Sequence, residues 1–110
     1  MRKELEMKNQ VIQILTLVKK IAPGRSVELR IPPYAAIQCV DGKSHRRGTP
    51  PNVVEMSSAT LLKLVDNPDQ WQFFCDVGCI SASGQKSNLA SQFKIVSKIL
   101  NNQSRDNHGK

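Results

Sequence analysis

The chain has 110 residues, a length that fits one folded domain. Hydrophobic residues make up 39% of it, enough for a modest core, and no apolar stretch approaches the roughly 20 residues that span a bilayer. The formal net charge is +7, but the basic residues are spread along the chain. Charge alone therefore favours a soluble basic surface over a nucleic-acid interface.

The three cysteines are odd in number and have no paired spacing, which argues against a disulfide framework. The first residues alternate charged and apolar side chains, without the continuous apolar run of a signal peptide. Cys75 and Cys79 are spaced too widely for a typical structural zinc pair, and free cysteines commonly pack as small hydrophobes. We therefore expect a reduced, cytoplasmic protein with no metal and no cofactor.

Residues 4–22 are predicted to form an amphipathic helix, because apolar residues at three- and four-residue spacing make one face. Leu5, Ile12 and Leu17 widen that face, which suggests that the helix is covered on more than one side. Pro23 ends the helix, since it cannot continue the hydrogen-bond ladder.

The next segments read as strands. Residues 26–32 alternate apolar and polar side chains, which predicts a strand with one face in the core. Residues 34–40 are apolar on both faces, so this second strand is expected to lie more centrally than the first. Asp41-Gly42 is a hairpin turn signal, and a third strand is expected over residues 43–47.

A fourth short strand is predicted over residues 52–56, followed by two short helices. Ser57 or Ser58 caps the first of them. The second begins with Asn67 as N-cap and Pro68 at the first helical position, and Gln70 closes a capping box.

Residues 79–83 predict a fifth strand, and Ser87 is expected to cap a final helix. Residues 101–110 are polar and are predicted to be a disordered tail. The order of elements predicts an α+β fold in one domain over residues 1–100. Its sheet is expected to have about five strands, mixed and mostly antiparallel, with helices covering one face.

The stretch 45–55, HRRGTPPNVVE, holds the most particular chemistry in the chain. A triad of His45 with Asp41 and a nearby nucleophile is rejected, because the turn uses Asp41 and no serine lies on a strained elbow. No catalytic residue is predicted. The polar candidates are instead interpreted as structural first, with binding of an anionic headgroup as the alternative; they are His45, Arg47, Asn52 and Glu55.

Residues 27–39, VELRIPPYAAIQC, together with 45–55, resemble the small bacterial members of the sterol carrier protein family. Residues 78–84, GCISASG, before a closing helix are similar to the family's ending. The chain departs from the family at Arg46, where members often carry Thr, and at Asp66-Asn67, where a Thr-Gly pair is common. The resemblance implies a five-stranded sheet covered by helices, with an apolar cavity between them that takes lipid in several members.

Three hypotheses for function follow from this resemblance and from the composition. The first is non-enzymatic binding of a lipid, fatty-acyl or other hydrophobic ligand between sheet and helices. The second is an accessory domain that contacts a partner enzyme and has no ligand of its own, and the third is nucleic-acid binding through the basic surface. The predicted walls of the ligand pocket are Ile37, Val54, Met56, Leu62, Phe74, Phe93 and Val96.

Overall fold

A computed structural model describes residues 2–42 and 50–108 of the chain, with side chains as far as residue 103. The helices and strands in these residues do not alternate strictly along the chain, as expected of an α+β fold. In chain order they are α1 (Arg2–Ile21), β1 (Val27–Ile31), β2 (Ala35–Cys39), β3 (Asn52–Met56), α2 (Ser58–Asp66), a short 3-10 helix (Pro68–Gln70), α3 (Trp71–Asp76), β4 (Ile80–Ser83) and α4 (Ala90–His108).

The four strands form one open sheet in the order β2-β1-β3-β4. The two outer pairs are antiparallel, and β1 and β3 in the middle are parallel. The α+β class and the mixed, mostly antiparallel sheet are therefore confirmed. The expected count of about five strands is not, because the described residues form four, and the third predicted strand, over 43–47, lies outside them.

Side chains alternate across the sheet, so each strand presents one set to each face. Leu29 of β1 and Val54 of β3 are adjacent in register and fully buried beneath the helices. The opposite face is polar: Arg30 lies between Glu28 and Glu55 and forms ion pairs with both. Among the described elements, the helices thus cover one face of the sheet.

The prediction that the second strand lies more centrally than the first is wrong. β1 is hydrogen-bonded to β2 on one side and to β3 on the other. Apolar and polar side chains alternate along β1 because the outer face of the sheet is polar. This alternation does not indicate whether a strand lies in the centre or at the edge of the sheet.

The core is formed by the inner face of the sheet and the apolar stripes of the helices. α1 contributes Val11, Ile14, Leu15 and Val18, which follow the predicted spacing. Phe93 of α4 is fully buried and stacks on Trp71, with 6.2 Å between the ring centroids. Aliphatic side chains from β1, β3 and α2 complete this layer.

The three predicted helix caps have different outcomes: one is confirmed with its hydrogen bond, one is confirmed in position only, and one differs from the structure. Ser57 is confirmed as the N-cap of α2, because its hydroxyl accepts a hydrogen bond from the Thr60 backbone N–H at 3.1 Å. Asn67 is the N-cap residue of the 3-10 helix and Pro68 follows it, as predicted, but the Asn67 side chain makes no capping hydrogen bond. The Ser87 hydroxyl donates to the Gly84 carbonyl, and Asn88 instead accepts from the first backbone N–H of α4.

Helix α4 runs on to His108. It therefore continues into the polar segment 101–110, which the sequence predicts as a disordered tail. Asn101, Asn102 and Gln103 are exposed on this extension.

Candidate functional site

The residues predicted to line a ligand pocket fall into two groups. Val54, Phe93 and Val96 have no exposed surface, and Met56 is 2% exposed. In this conformation these side chains contact protein atoms only, so a ligand that reached them would have to move helices away from the sheet. Ile37, Leu62 and Phe74 are partly buried and pack against the core from its margins.

The marginal residues do not share one depression. Ile37 lies beside α1 on β2, which is the outer strand among the strands that the structure describes. Leu62 lines a depression of about 290 Å³ among α1, α2 and α4, with Gln10, Gln13 and Asp66 on its rim. Phe74 packs beside Phe73, with 5.9 Å between the ring centroids.

The depression beside Ile37 is a groove between α1 and β2. It has a volume of about 360 Å³, and its walls come from Ile12, Leu15, Thr16, Lys19, Ala35 and Ile37. Leu15 is buried and belongs to the core, whereas Ile12 is 43% exposed on the wall. Only Thr16 and Lys19 contribute polar atoms from their side chains.

A second depression, of about 400 Å³, continues along the same side of α1 toward its first turn. Glu4, Leu5, Lys8 and Tyr34 line it, and Leu5 is 60% exposed. Leu5, Ile12 and Lys19 recur every seven residues, so they lie on one face of the helix. We call the combined feature the α1–β2 groove; it is bounded by Glu4, Leu5, Lys8, Ile12, Leu15, Thr16, Lys19, Tyr34, Ala35 and Ile37.

The dimensions and charge of the α1–β2 groove define what it can hold. At a rise of 1.5 Å per residue, the helix covers about 21 Å between Leu5 and Lys19. Each depression falls within the roughly 300–1,000 Å³ of small-molecule sites. Neither Lys8 nor Lys19 takes part in the ion pairs formed within the described residues, so both ammonium groups can bind an anionic group of a ligand.

Sequence reasoning missed most of this groove. It treated Leu5 and Ile12 as a widening of the buried face of α1, whereas both are among the most exposed large hydrophobics of the described residues. A signal was present: Leu5 and Ile12 lie seven residues apart and share their helix face with Lys8 and Lys19, which do not belong in a core.

The predicted polar residues do not come together. Asn52 and Glu55 are three apart in a strand, so they lie on opposite faces of the sheet. Glu55 is on the outer face, with its carboxylate 3.9 Å from the Arg30 guanidinium. His45 and Arg47 lie outside the described residues.

Asn52 has a structural environment. Its side-chain amide donates to the Ser26 carbonyl at 2.8 Å, and its carbonyl oxygen accepts from the Lys86 backbone N–H at 2.9 Å. A Cβ at Gly84 would lie 2.2 Å from that same oxygen, so only glycine fits the neighbouring turn. Asn52 thus joins the entry to β1 with the turn between β4 and α4.

Two of the three cysteines have thiols whose pKa is raised by their surroundings. Burial raises the pKa of the Cys39 thiol from 9.0 to about 11, so the neutral thiol persists at physiological pH. Partial burial and then the Asp76 carboxylate raise the pKa of Cys75. Within the described ranges, no three His, Cys, Asp or Glu side chains are grouped as metal ligands would be.

The helices offer no candidate for a membrane span. Over residues 2–42 and 50–108, no helix combines the length and the apolar character that crossing a bilayer requires.

Comparison with known families gives a match over most of the chain. The sequence model of a family described as bacterial SCP ortholog, where SCP stands for sterol carrier protein, matches residues 2–95. The comparison with curated proteins finds no match. Proteins of this family are generally carriers without catalytic activity, and membership suggests binding of lipids or other hydrophobic ligands in general. The matched region includes all three runs of sequence that carry the resemblance, and the chain belongs to the bacterial sterol carrier protein-like family.

Proposed function

We propose that the protein binds a lipid or other hydrophobic ligand without catalysing a reaction, and that this ligand lies along the α1–β2 groove. The observation that carries the proposal is the exposed apolar seam between the helix and the sheet edge. Leu5 and Ile12 remain exposed on its wall, while Leu15 and Ile37 form an apolar floor.

The shape of the groove supports a ligand with one extended chain. An elongated seam about 21 Å long matches a fatty-acyl chain better than a compact ring system. Each methylene group removed from water contributes about 0.8 kcal/mol, so partial burial of a long chain provides enough free energy for micromolar binding. The chain would displace water from Ile12, Leu5 and Ile37.

The charges of the groove support an anionic headgroup. Lys19 lies at one end and Lys8 near the other, and the single carboxylate on the lining is Glu4. A carboxylate beside Lys19 forms an exposed ion pair worth about 0.2–1 kcal/mol. The apolar contacts therefore supply most of the affinity, and the lysines orient the ligand.

The alternative location is the core between sheet and helices, next to Val54, Phe93 and Val96. Of the seven residues predicted as pocket walls, Ile37 is the one that also lines the α1–β2 groove. A core site requires separation of a well-packed layer, whereas the groove is open as it stands. Open access is the reason for preferring the groove.

The experiment is a titration with a fluorescent fatty acid below its micellar concentration. Ile12→Glu is expected to weaken binding about 10–30-fold, because it replaces contact with two or three methylene groups by a charge that repels the ligand. Lys19→Ala is expected to weaken it about 2–5-fold. Ile95→Glu is the matched control, since Ile95 is 47% exposed on α4, outside the groove.

Two results would contradict the proposal. One is the absence of saturable binding by the wild-type protein. The other is an equal loss of affinity in Ile12→Glu and Ile95→Glu, because an added negative charge would then weaken binding equally inside and outside the groove. Circular dichroism of each variant confirms that α1 and α4 still fold.

A further inference from the structure

A second surface differs in charge from the rest of the molecule. Residues 66–76 contain three aspartates and no lysine or arginine, in a chain with a net charge of +7. Within this segment and the turn that follows, Phe73 is 55% exposed and Val77 is 54% exposed. We call this the α3 surface; it consists of Asp69, Phe73, Asp76 and Val77.

The α3 surface is held in a defined shape. The backbone N–H of Val77 donates to the Phe73 carbonyl at 3.0 Å, so the two side chains lie one helical turn apart on the same side. Gln72 donates to the Asp76 carboxylate at 2.8 Å and fixes it beside them. Asp69 is already paired with Lys94 of α4 at 3.6 Å, so Asp76 supplies the negative charge that remains available beside the apolar pair. Scattered exposed hydrophobics are normal, but an apolar pair on one turn beside an available charge has the composition of a contact surface.

The exposed face of α1 has the complementary composition. Leu5, Lys8, Ile12 and Lys19 follow one another on this face, and Arg2 lies in the first turn. Glu4 lies beside Leu5 and Lys8, so three positive charges stand against one negative charge. We call these six residues the α1 surface. Its apolar pair lies over depressions of about 400 and 360 Å³, which can receive the side chains of Phe73 and Val77.

We propose that the α3 surface of one molecule docks on the α1 surface of a second copy of this chain. Phe73 and Val77 pack against Leu5 and Ile12, and Asp76 pairs with Lys8. In the contact, the paired charges are closer together than the roughly 8 Å Debye length at physiological ionic strength, so salt screens their attraction little. Most of the other charges on the two copies are farther apart than this, so their repulsion is largely screened.

The two surfaces are different, so the contact is heterologous. In a dimer formed by such a contact, one α1 surface and one α3 surface remain free. Each can bind a further copy, so the assembly is expected to grow past the dimer. Because α3 has only six residues, we expect the buried area to fall below the roughly 1,200 Å² of stable complexes and the association to be weak. The contact does not rest on the proposed function, although a ligand in the α1–β2 groove competes with it.

The experiment is analytical ultracentrifugation of the full chain without ligand, over a concentration series that reaches about 1 mM, the weak end of specific association. The weight-average mass of the wild type is expected to rise past that of a dimer. An α3-defective variant, Phe73→Ser with Asp76→Lys, and an α1-defective variant, Leu5→Ser with Lys8→Glu, are each expected to weaken association at least tenfold. The substituted apolar residues are exposed, so both variants are expected to fold.

Mixing the two defective variants gives the decisive result. Each retains the surface that the other lacks, so an equimolar mixture is expected to form a one-to-one dimer and to stop there. Ile95→Ser serves as control and is expected to associate like the wild type. A wild-type protein that stays monomeric over the concentration series would overturn the proposal, and so would a mixture of the two variants that remains monomeric. The proposal would also be overturned if the α1 surface bound anionic vesicles while the protein showed no self-association.

Discussion

Replacing Asn52 with alanine removes the two side-chain hydrogen bonds that join the start of β1 to the turn before α4. The amide group donates to the Ser26 carbonyl at 2.8 Å, and the Lys86 backbone N–H donates to the Asn52 carbonyl oxygen at 2.9 Å. The Asn52 side chain is buried, so water cannot simply replace it in the first of these bonds.

The expected loss of stability follows from these two bonds. Each contributes about 0.5–1.5 kcal/mol net, and a backbone group left without a partner away from water costs about 1–3 kcal/mol more. The Ser26 carbonyl keeps one donor, because it also accepts the Asn52 backbone N–H at 3.2 Å. The unpaired group is then the Lys86 N–H alone. Its bond is only part-buried, so the low end of that penalty, about 1 kcal/mol, applies. The sum is about 2–4 kcal/mol, a large part of the roughly 5–15 kcal/mol that stabilises a domain.

Urea unfolding measures this loss, with Glu55→Gln as the matched control from the same strand. The Glu55 carboxylate lies 3.9 Å from Arg30, and both side chains are close to half exposed, so its replacement is expected to cost less than about 1 kcal/mol. If Asn52→Ala cost no more than Glu55→Gln, the reasoning that makes Asn52 the structural residue of this stretch would be refuted.

The remaining predictions concern glycines and cysteines. Gly84→Ala is expected to lower the melting temperature more than Gly78→Ala, because both have positive φ (103° and 84°) but only at Gly84 would the new Cβ meet another residue within 4 Å; equal shifts would contradict this. In the folded protein, a thiol reagent is expected to modify the exposed Cys79 quickly and the buried Cys39 only after urea is added, and equal rates would show that Cys39 is accessible. Folding raises the pKa of Cys39 from 9.0 to about 11, so the neutral thiol contributes its full stabilisation below pH 9. Urea unfolding is expected to show that the free energy of unfolding falls between pH 9 and pH 11 as this contribution is lost. A free energy of unfolding that stayed constant over this pH range would contradict the burial of Cys39.

The sequence predicted those features that depend on local periodicity. The spacing of Val11, Ile14, Leu15 and Val18 predicted the buried stripe of α1, and the alternation in residues 26–32 predicted β1. These predictions succeed because a helix or strand with one buried face imposes its own period on the sequence.

Sequence reasoning failed where the outcome depends on tertiary neighbours. The period of α1 identifies its buried stripe but does not say which flank β2 leaves uncovered, so the exposure of Leu5 and Ile12 was not predicted. Ser87 and Asn88 are both common N-cap residues, and the choice between them rests on the turn at Gly84, whose carbonyl takes the Ser87 hydroxyl.

The candidate site was only partly predictable for the same reason. Large apolar residues such as Phe93 and Val96 suit a core and a ligand pocket equally, and composition cannot separate the two. The α1–β2 groove brings residues 5–19 against residues 34–37, a juxtaposition set by how the helix packs on the sheet.

The most direct test of the central claim is to find where a bound fatty acid touches the protein. A fatty acid with a photoreactive diazirine on its chain is cross-linked to the wild-type protein, and the adducts are mapped by peptide mass spectrometry. Adducts on α1 between Leu5 and Lys19, and on residues 34–37, are the predicted result. Adducts concentrated on Val54, Phe93 or Val96, or labelling that excess unlabelled fatty acid does not reduce, would contradict a ligand site in the α1–β2 groove.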